Sequence, residues 1–333
     1  MVRIGVIGAG HLGKIHLNCL KNIAAAEVVG FYDSDVSLAK EVSEKQNVAF
    51  YPSAEELLNA CQAVVIAAPT TSHYELAMQA LKMGKHVFLE KPIASALQES
   101  EEIIAYSKQY NLKVQVGHVE RFNDAYLSAK PYLGSPMFIE AHRLAEFNVR
   151  GTDVSVVLDL MIHDLDIVLN VVRSPIKAIH ASGVAVVSDT PDIANVRLEF
   201  ENGATANLTA SRIAMKKMRR MRLFQKNTYI TLDFLEKQSN VIRLRDAVAE
   251  DENELLPLIL DLGKDKPKKR IFIESPESPK ANAIEMELSL FIDCIINDTP
   301  CEVTAEDGHK ALALAYQIME KICQNEKIQS LEM

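Results

Sequence analysis

Asp159 and His163 lie four residues apart in Asp159-Leu160-Met161-Ile162-His163-Asp164-Leu165-Asp166, inside an otherwise apolar helical pattern. On a helix that offset puts both side chains on one face. A carboxylate and an imidazole so placed suit proton transfer: the ring takes a hydroxyl proton, and the aspartate biases its orientation and tautomer. Asp166, three residues past His163, falls on roughly the same side. The plainer alternative is a helix packed by Leu158, Met161, Ile162, Leu165 and Leu169, with its polar groups in water. Lys91, in Glu90-Lys91-Pro92, follows the strand-like His86-Val87-Phe88-Leu89. A lysine there can hydrogen-bond a hydroxyl and favour negative charge developing on its oxygen. Pro92 stiffens the exit of the turn, whether its peptide is cis or trans. Taken alone, Glu-Lys-Pro is also an ordinary surface turn.

The elements that must position these groups begin at the N-terminus. The apolar strand Val2-Arg3-Ile4-Gly5-Val6-Ile7 feeds Gly8-Ala9-Gly10-His11-Leu12-Gly13 and then a helical run. In a G-x-G-x-x-G turn the first glycine allows the tight bend, the second lets a pyrophosphate approach the backbone, and the third allows close helix–strand contact. The following helix directs unpaired N–H groups at the phosphates, so Gly8, Gly10, His11, Leu12 and Gly13 are candidate cofactor contacts. A second strand, Glu27 to Tyr32, ends in Asp33, where a carboxylate holds a ribose 2′-OH and repels a 2′-phosphate. Ser34 follows with no adjacent arginine, which favours NAD over NADP. Pro69-Thr70-Thr71-Ser72-His73 lies just past the buried strand Ala63 to Ala68, at a strand end where ligands of open α/β sheets bind. Pro69, Thr70, His73, Glu90 and Lys91 are therefore further cofactor candidates, His73 being equally readable as a structural hydrogen-bonder at a helix start.

With 333 residues, the chain exceeds the usual size of a single hydrophobic core, so two domains are expected. A hydrophobic content of 48% and a charged content of 24% fit a globular protein, and no apolar run is long enough to span a bilayer. The N-terminus reads as a strand rather than a signal peptide. The net charge of −9 argues against general nucleic-acid binding. The basic cluster Lys216, Lys217, Arg219, Arg220 and Arg222 is either a solvated strand face or a local phosphate site. The five cysteines show no C-x-x-C pairing and no metal-ligand spacing with histidine, so no metal is expected. Cys19, Cys61, Cys294 and Cys323 fall in or beside apolar helical patterns and read as small core hydrophobes, which points to a reduced, cytoplasmic setting.

Strands alternating with helices over the first third predict βαβ units and a parallel sheet over residues 1–120, including a short strand at Val48-Ala49-Phe50. From about residue 121 the rhythm changes. Strand-like segments at Met137–Phe147, Ile176–Val187, Ala194–Phe200, Ala204–Ser211, Met221–Phe224 and Tyr229–Phe234, with a Glu201-Asn202-Gly203 hairpin turn, predict a mostly antiparallel, open-faced sheet. The expected architecture is thus α/β: a dinucleotide-binding domain at 1–120 and an α+β substrate and oligomerisation domain at 121–333. The stretch from Asp246 to Lys269 reads as an excursion with at most one short helix. Helical segments around Ile284–Ile296 and Gly308–Gln324 are expected to pack back on the core. Ala206, Leu208, Ala210 and Ile213 are expected to supply an apolar sheet face for association of copies.

The motif order resembles that of the Gfo/Idh/MocA oxidoreductases: N-terminal G-x-G-x-x-G, then P-x-x-x-H, E-K-P and D-x-x-x-H-D. The resemblance extends through Ile295-Ile296-Asn297-Asp298-Thr299-Pro300 and Thr304-Ala305-Glu306-Asp307-Gly308. It implies a Rossmann domain and an NAD(P)-dependent dehydrogenase of sugars, sugar nucleotides or inositols, assembled as a homodimer or homotetramer. It also implies that Lys91 is the catalytic lysine, His163 the general acid/base and Asp159 its neighbour on the substrate. The family often has glycines before that aspartate and between it and the histidine; here Val156, Val157, Leu158 and Met161 stand there, which bears on substrate shape. Gly117-His118-Val119-Glu120-Arg121-Phe122-Asn123 is similar to the segment of family members that oxidise the 3-hydroxyl of UDP-N-acetylglucosamine, with Asp124 where a proline often follows. Glu120, Arg121 and Asn123 would then contact a polar sugar nucleotide, Arg121 suiting its diphosphate; the competing account is an ion pair of Glu120 or Arg121 across the domain junction. Another sugar or inositol dehydrogenase, or a dinucleotide-binding sensor without turnover, remain the alternatives.

Overall fold

The alternation of apolar strands and amphipathic helices in the first third builds a parallel sheet, seen in a computed structural model that describes residues 1–148, 154–248, 258–263, 266–278 and 280–332. In chain order the elements are β1 (Val2–Ile7), α1 (His11–Asn22), β2 (Ala26–Tyr32), α2 (Val36–Gln46), α3 (Ala54–Ala60), β3 (Ala63–Ile66), α4 (His73–Lys82), β4 (His86–Glu90), α5 (Leu97–Gln109) and β5 (Val114–Gly117). The strands lie in the order β2-β1-β3-β4-β5 and every pair is parallel. The order reverses between β1 and β3, which opens a crevice at the carboxyl ends of those two strands. Central strands are apolar on both faces because helices cover both: Ile4, Val6, Val64, Val65 and Phe88 are fully buried. The expected strand at 48–50 reduces to one bridge, Phe31 to Phe50, in a segment too short to extend the sheet.

A second unit begins at Asn123. It contains α6 (Asp124–Ala129), β6 (Phe138–Leu144), α7 (Ile162–Val172), β7 (Ile176–Val184), β8 (Ile193–Phe200), β9 (Thr205–Ser211), β10 (Met218–Gln225), β11 (Thr228–Asp233), β12 (Gln238–Asp246), β13 (Ile259–Leu260) and β14 (Lys269–Glu274). Its nine strands run β13-β14-β12-β11-β10-β6-β9-β8-β7. All neighbours are antiparallel except β6 and β9. The Glu201-Asn202-Gly203 turn joins β8 to β9, with Gly203 at φ +85°. Where a helix was the most expected between Asp246 and Lys269, the described part holds the short strand β13; residues 249–257 and 264–265 lie outside the described residues.

Alternation along the strands sorts this sheet into two faces. Ala206, Leu208 and Ala210 are buried, with Val196, Leu198, Met221 and Leu223 beside them, and β9 packs on the turn that precedes α7. The expectation that these β9 residues form an open apolar face is therefore corrected: their period-2 register sends them to the core. The other face carries a polar row, Thr231, Arg222, Glu140, Asn207 and Arg197, each opposite the next.

The chain then returns to the first unit. Residues 281–314 belong with residues 1–122, and residues 315–333 with the second unit. The returning segment supplies α8 (Ala283–Ile296) and the start of α9 (Ala305–Glu332). Leu288, Phe291, Ile292 and Cys294 of α8 join the core of β1, α1 and β4, where Phe291 meets the Phe88 ring edge-on at 5.8 Å. Among the described residues no helix is long and apolar enough to cross a membrane.

Candidate active site

At the carboxyl end of β1, Gly8 adopts φ +92°, a conformation that side chains resist. A Cβ on Gly8 would come within 2.7 Å of the Ala67 carbonyl, and one on Gly13 would sit on the Gly8 carbonyl. At Gly10, by contrast, a Cβ would meet nothing within 4 Å. The turn is thus tight at its two ends and open in the middle, which is the shape a pyrophosphate needs. Gly10 caps α1 without a side-chain hydrogen bond, and His11 and Leu12 are exposed there, so the first-turn N–H groups have no side-chain acceptor at the cap. Asp33, just past β2, accepts from Ala9 N at 2.6 Å through Oδ2 and from Asp35 N at 2.8 Å through Oδ1. These bonds hold a half-buried carboxylate beside the glycine turn with lone pairs left for a ribose. The residues present fit a dinucleotide.

Thr70 and Thr71 follow β3 in a short 3₁₀ turn, with Pro69 and Thr71 exposed and the Thr70 carbonyl accepting from Ser95 Oγ at 3.2 Å. His73 is a different matter. It is 1% exposed, with Nδ1 2.8 Å from the Pro92 carbonyl and Nε2 2.9 Å from the Ala68 carbonyl. Burial lowers its pKa against the pull of those carbonyls and of Glu90. With both ring nitrogens turned to backbone, His73 ties the β3 exit to the β4 exit, and the structural reading describes it.

Lys91 stands at the end of β4, half-buried, and its peptide bond to Pro92 is cis. Glu90 beside it is buried: Oε1 lies 2.7 Å from His16 Nε2, and Oε2 accepts from Lys91 N at 3.3 Å. His16 is fully buried and meets Phe88 edge-on at 5.5 Å. Behind them Glu287 of α8 is 1% exposed, and neither carboxyl oxygen has a hydrogen-bond partner among the described residues. Burial, and then the neighbouring Glu90 carboxylate, push the Glu287 carboxyl well above the ordinary range, favouring its protonated form. His16 and Glu287 went unread in the sequence. A histidine and a glutamate inside amphipathic patterns look like solvent-facing residues, and no spacing links them to Glu90.

In the second unit, Asp159 lies in a π-helical turn, Val157–Met161, that runs directly into α7, which carries His163. A π turn is wider than an α turn, so the ridge bearing these two half-buried side chains is locally distorted rather than regular. Such turns recur at functional sites. Asp164 and Asp166 are buried, 4% and 1% exposed, which is not the plainer alternative of polar groups left in water. Arg143 on β6 explains Asp164: Nε meets Oδ2 and Nη2 meets Oδ1, both at 2.9 Å, a two-pronged ion pair that fastens α7 to the sheet.

The segment after β5 is buried. Glu120, Arg121 and Asn123 are 4%, 7% and 8% exposed. Arg121 Nη1 lies 3.4 Å from Asp307 Oδ2, at the start of α9, within the first unit. Asn123 caps α6 through Ala125 N and donates to the Phe234 carbonyl at 3.0 Å. Arg121 is thus ion-paired within the first unit, and Asn123 is engaged within the second. The basic cluster is a solvated face: Arg220 pairs with Asp233 at 2.6 Å, Arg222 with Glu140 at 3.0 Å and Lys217 with Glu146 at 3.9 Å.

Residues 2–118 match the oxidoreductase family described as GFO/IDH/MocA, NAD-binding Rossmann fold, and residues 131–230 match the GFO/IDH/MocA C-terminal domain. UDP-N-acetylglucosamine 3-dehydrogenase of Acidithiobacillus ferrooxidans is 32% identical over 319 residues, covering 95% of this chain and 96% of the relative. A solved structure of that dehydrogenase superposes with a TM-score of 0.85 at 30% identity, over 96% of this chain and 97% of the other. Myo-inositol 2-dehydrogenase of Thermotoga maritima is 26% identical over 95% of this chain and 94% of its own length. A scyllo-inositol dehydrogenase structure from Lactobacillus casei, with bound NAD(H) and scyllo-inositol, shares the fold at TM-score 0.76 and 22% identity, over 98% of each chain. A glycine turn open at Gly10, Asp33 beside it and matches across both units lead to one conclusion: the chain belongs to the GFO/IDH/MocA family of NAD-binding oxidoreductases.

Proposed function

We propose that this dehydrogenase oxidises the 3-hydroxyl of a UDP-N-acetylhexosamine, UDP-N-acetylglucosamine first among them, with NAD as the acceptor. The observation that carries the reading is likeness along nearly the whole chain to a UDP-N-acetylglucosamine 3-dehydrogenase. When bound, NAD supplies the site that accepts hydride from the carbinol carbon. Lys91 hydrogen-bonds the substrate hydroxyl oxygen and stabilises the negative charge that grows on it. His163 takes the hydroxyl proton on a ring nitrogen, and Asp159 orients that ring and contacts the sugar. Gly8, Gly10, Gly13 and the first turn of α1 hold the pyrophosphate, and Asp33 holds the adenosine ribose. Thr70 and Pro69 line the β3 end of the same crevice.

The reading is tested by incubating the purified protein with NAD and a panel of UDP-sugars and free inositols, following NADH absorbance. Turnover on UDP-N-acetylglucosamine, with a product two hydrogens lighter by mass spectrometry, is the expected result. Turnover on inositols alone would move the assignment to the second reading, which the Thermotoga relative favours. NAD binding without turnover on any of them would point to a ligand sensor instead.

A further inference from the structure

Five cysteines are spread along the chain, and the fold brings two of them together. Cys294, in the last turn of α8, and Cys301, just after the following turn, place their sulfurs 3.2 Å apart. That is closer than two uncharged sulfurs rest without a shared proton, and about 1.2 Å from the length of an S–S bond. The two differ in access. Cys294 is 3% exposed within the core of the first unit, whereas Cys301 is half-buried and lines a surface groove of about 160 Å³ with Lys113, Pro300, Thr304 and Glu306. The hydrogen bond from Cys301 lowers the Cys294 thiol, with Lys113 acting in the same direction against burial. Cys19 and Cys61 are buried, and burial raises both of their thiols. Cys323 is exposed, which corrects its reading as a core hydrophobe.

We infer that Cys294 and Cys301 form an oxidisable dithiol that closes to an intramolecular disulfide on exposure to a hydroperoxide. One sulfur of the pair attacks the peroxide oxygen, the O–O bond breaks, and a sulfenic acid and one water (or alcohol) result. The second sulfur displaces the sulfenic oxygen as a second water, and the S–S bond forms. Two thiol protons leave in those products, and two electrons pass to the peroxide. The bond ties the end of α8 to the segment whose Val303 carbonyl accepts from Val116 N at 3.1 Å and whose Thr304 bridges Gln115. Oxidation would thus lock α8 to the edge of β5.

The test uses the intact, folded protein treated with micromolar hydrogen peroxide, then quenched, unfolded, alkylated and digested with trypsin. Residues 281–310 form a single tryptic peptide that carries both cysteines and no other. The expected product is that peptide unalkylated and about 2 Da lighter than its dithiol form, returned to double alkylation by prior treatment with a dithiol reductant. Cys19 and Cys61 should stay alkylatable at the same dose. Continued double alkylation of 281–310, or Cys301 carried to sulfinic acid while Cys294 stays alkylatable, would overturn the inference.

Discussion

A His163→Ala substitution removes the imidazole from the helix that follows the π turn, and turnover should fall by about 10²–10⁴-fold, the usual range for general acid–base help. Lys91→Ala should cost about 10²–10³-fold if the ammonium acts as an oxyanion donor. Single-turnover hydride transfer separates both from product release, and calorimetric NAD binding should survive the His163 change. A near wild-type rate without His163 would pass the role of base to another group, Lys91 first. Asp33 makes the cofactor test sharper: its carboxylate repels a 2′-phosphate, so NAD should bind more tightly than NADP in a direct titration. Glu287 gives a prediction in pH. Its folded carboxyl titrates well above the ordinary range, so between the two values the native state holds a proton that the unfolded chain has released. Stability is therefore present below about pH 4 and is lost as pH rises through the folded value. Glu287→Gln removes that loss, and its Tm relative to the parent should climb with pH; a constant difference would place the ionisation elsewhere. Lys91 and His163 stand out in the sequence through motif order, and their roles await the rate measurements above. Glu287 does not stand out, since in Glu285-Met286-Glu287-Leu288 nothing marks which glutamate the tertiary structure will bury.

Elements with strong period were read well, and those shaped by packing were not. The parallel strands of the first sheet are short apolar runs bounded by turns, and each was found near its place. β12 and β14 escaped because Arg243, Arg245, Lys269 and Arg270 interrupt their alternation; at that margin of the sheet both faces are partly wet. The π turn at Val157–Met161 has no sequence signature at all, and only contact with β9 and α7 reveals it. What holds that turn in place is open to test. Arg143 and Asp164 are 3% and 5% exposed at their side chains, so Asp164→Ala removes one side of a buried ion pair. The expected cost is about 3–5 kcal/mol in chemical denaturation, typical of breaking one side of a buried pair. If α7 positions His163, a variant that still folds should also lose kcat more than it gains KM.

Association and synthesis belong to the whole molecule. We expect a homodimer or homotetramer joined through the polar face of the large sheet, the face left after Ala206, Leu208 and Ala210 turned inward. Phe138, Phe224 and Tyr229 stack across one end of that face, with ring separations of 5.7 and 4.7 Å, and Phe138 and Phe224 are exposed. Light scattering at micromolar concentration should give a multiple of the 37.0 kDa chain mass, reduced toward it by Phe224→Ala and by high salt, since charged rows screen readily. A monomer under all conditions would leave the face to some other use. The return of residues 281–314 to the first unit has a consequence in time. The core around Phe88 and Leu17 stays open until Leu288, Phe291 and Ile292 have been made. A ribosome adding about 5–20 residues per second needs roughly 10–30 s to travel from residue 122 to α8. Through that interval the nascent Rossmann sheet carries an uncovered apolar flank. Chains stalled just before α8 should be cut by protease in β1–β4 and bound by chaperones, and chains stalled past Leu314 should resist both.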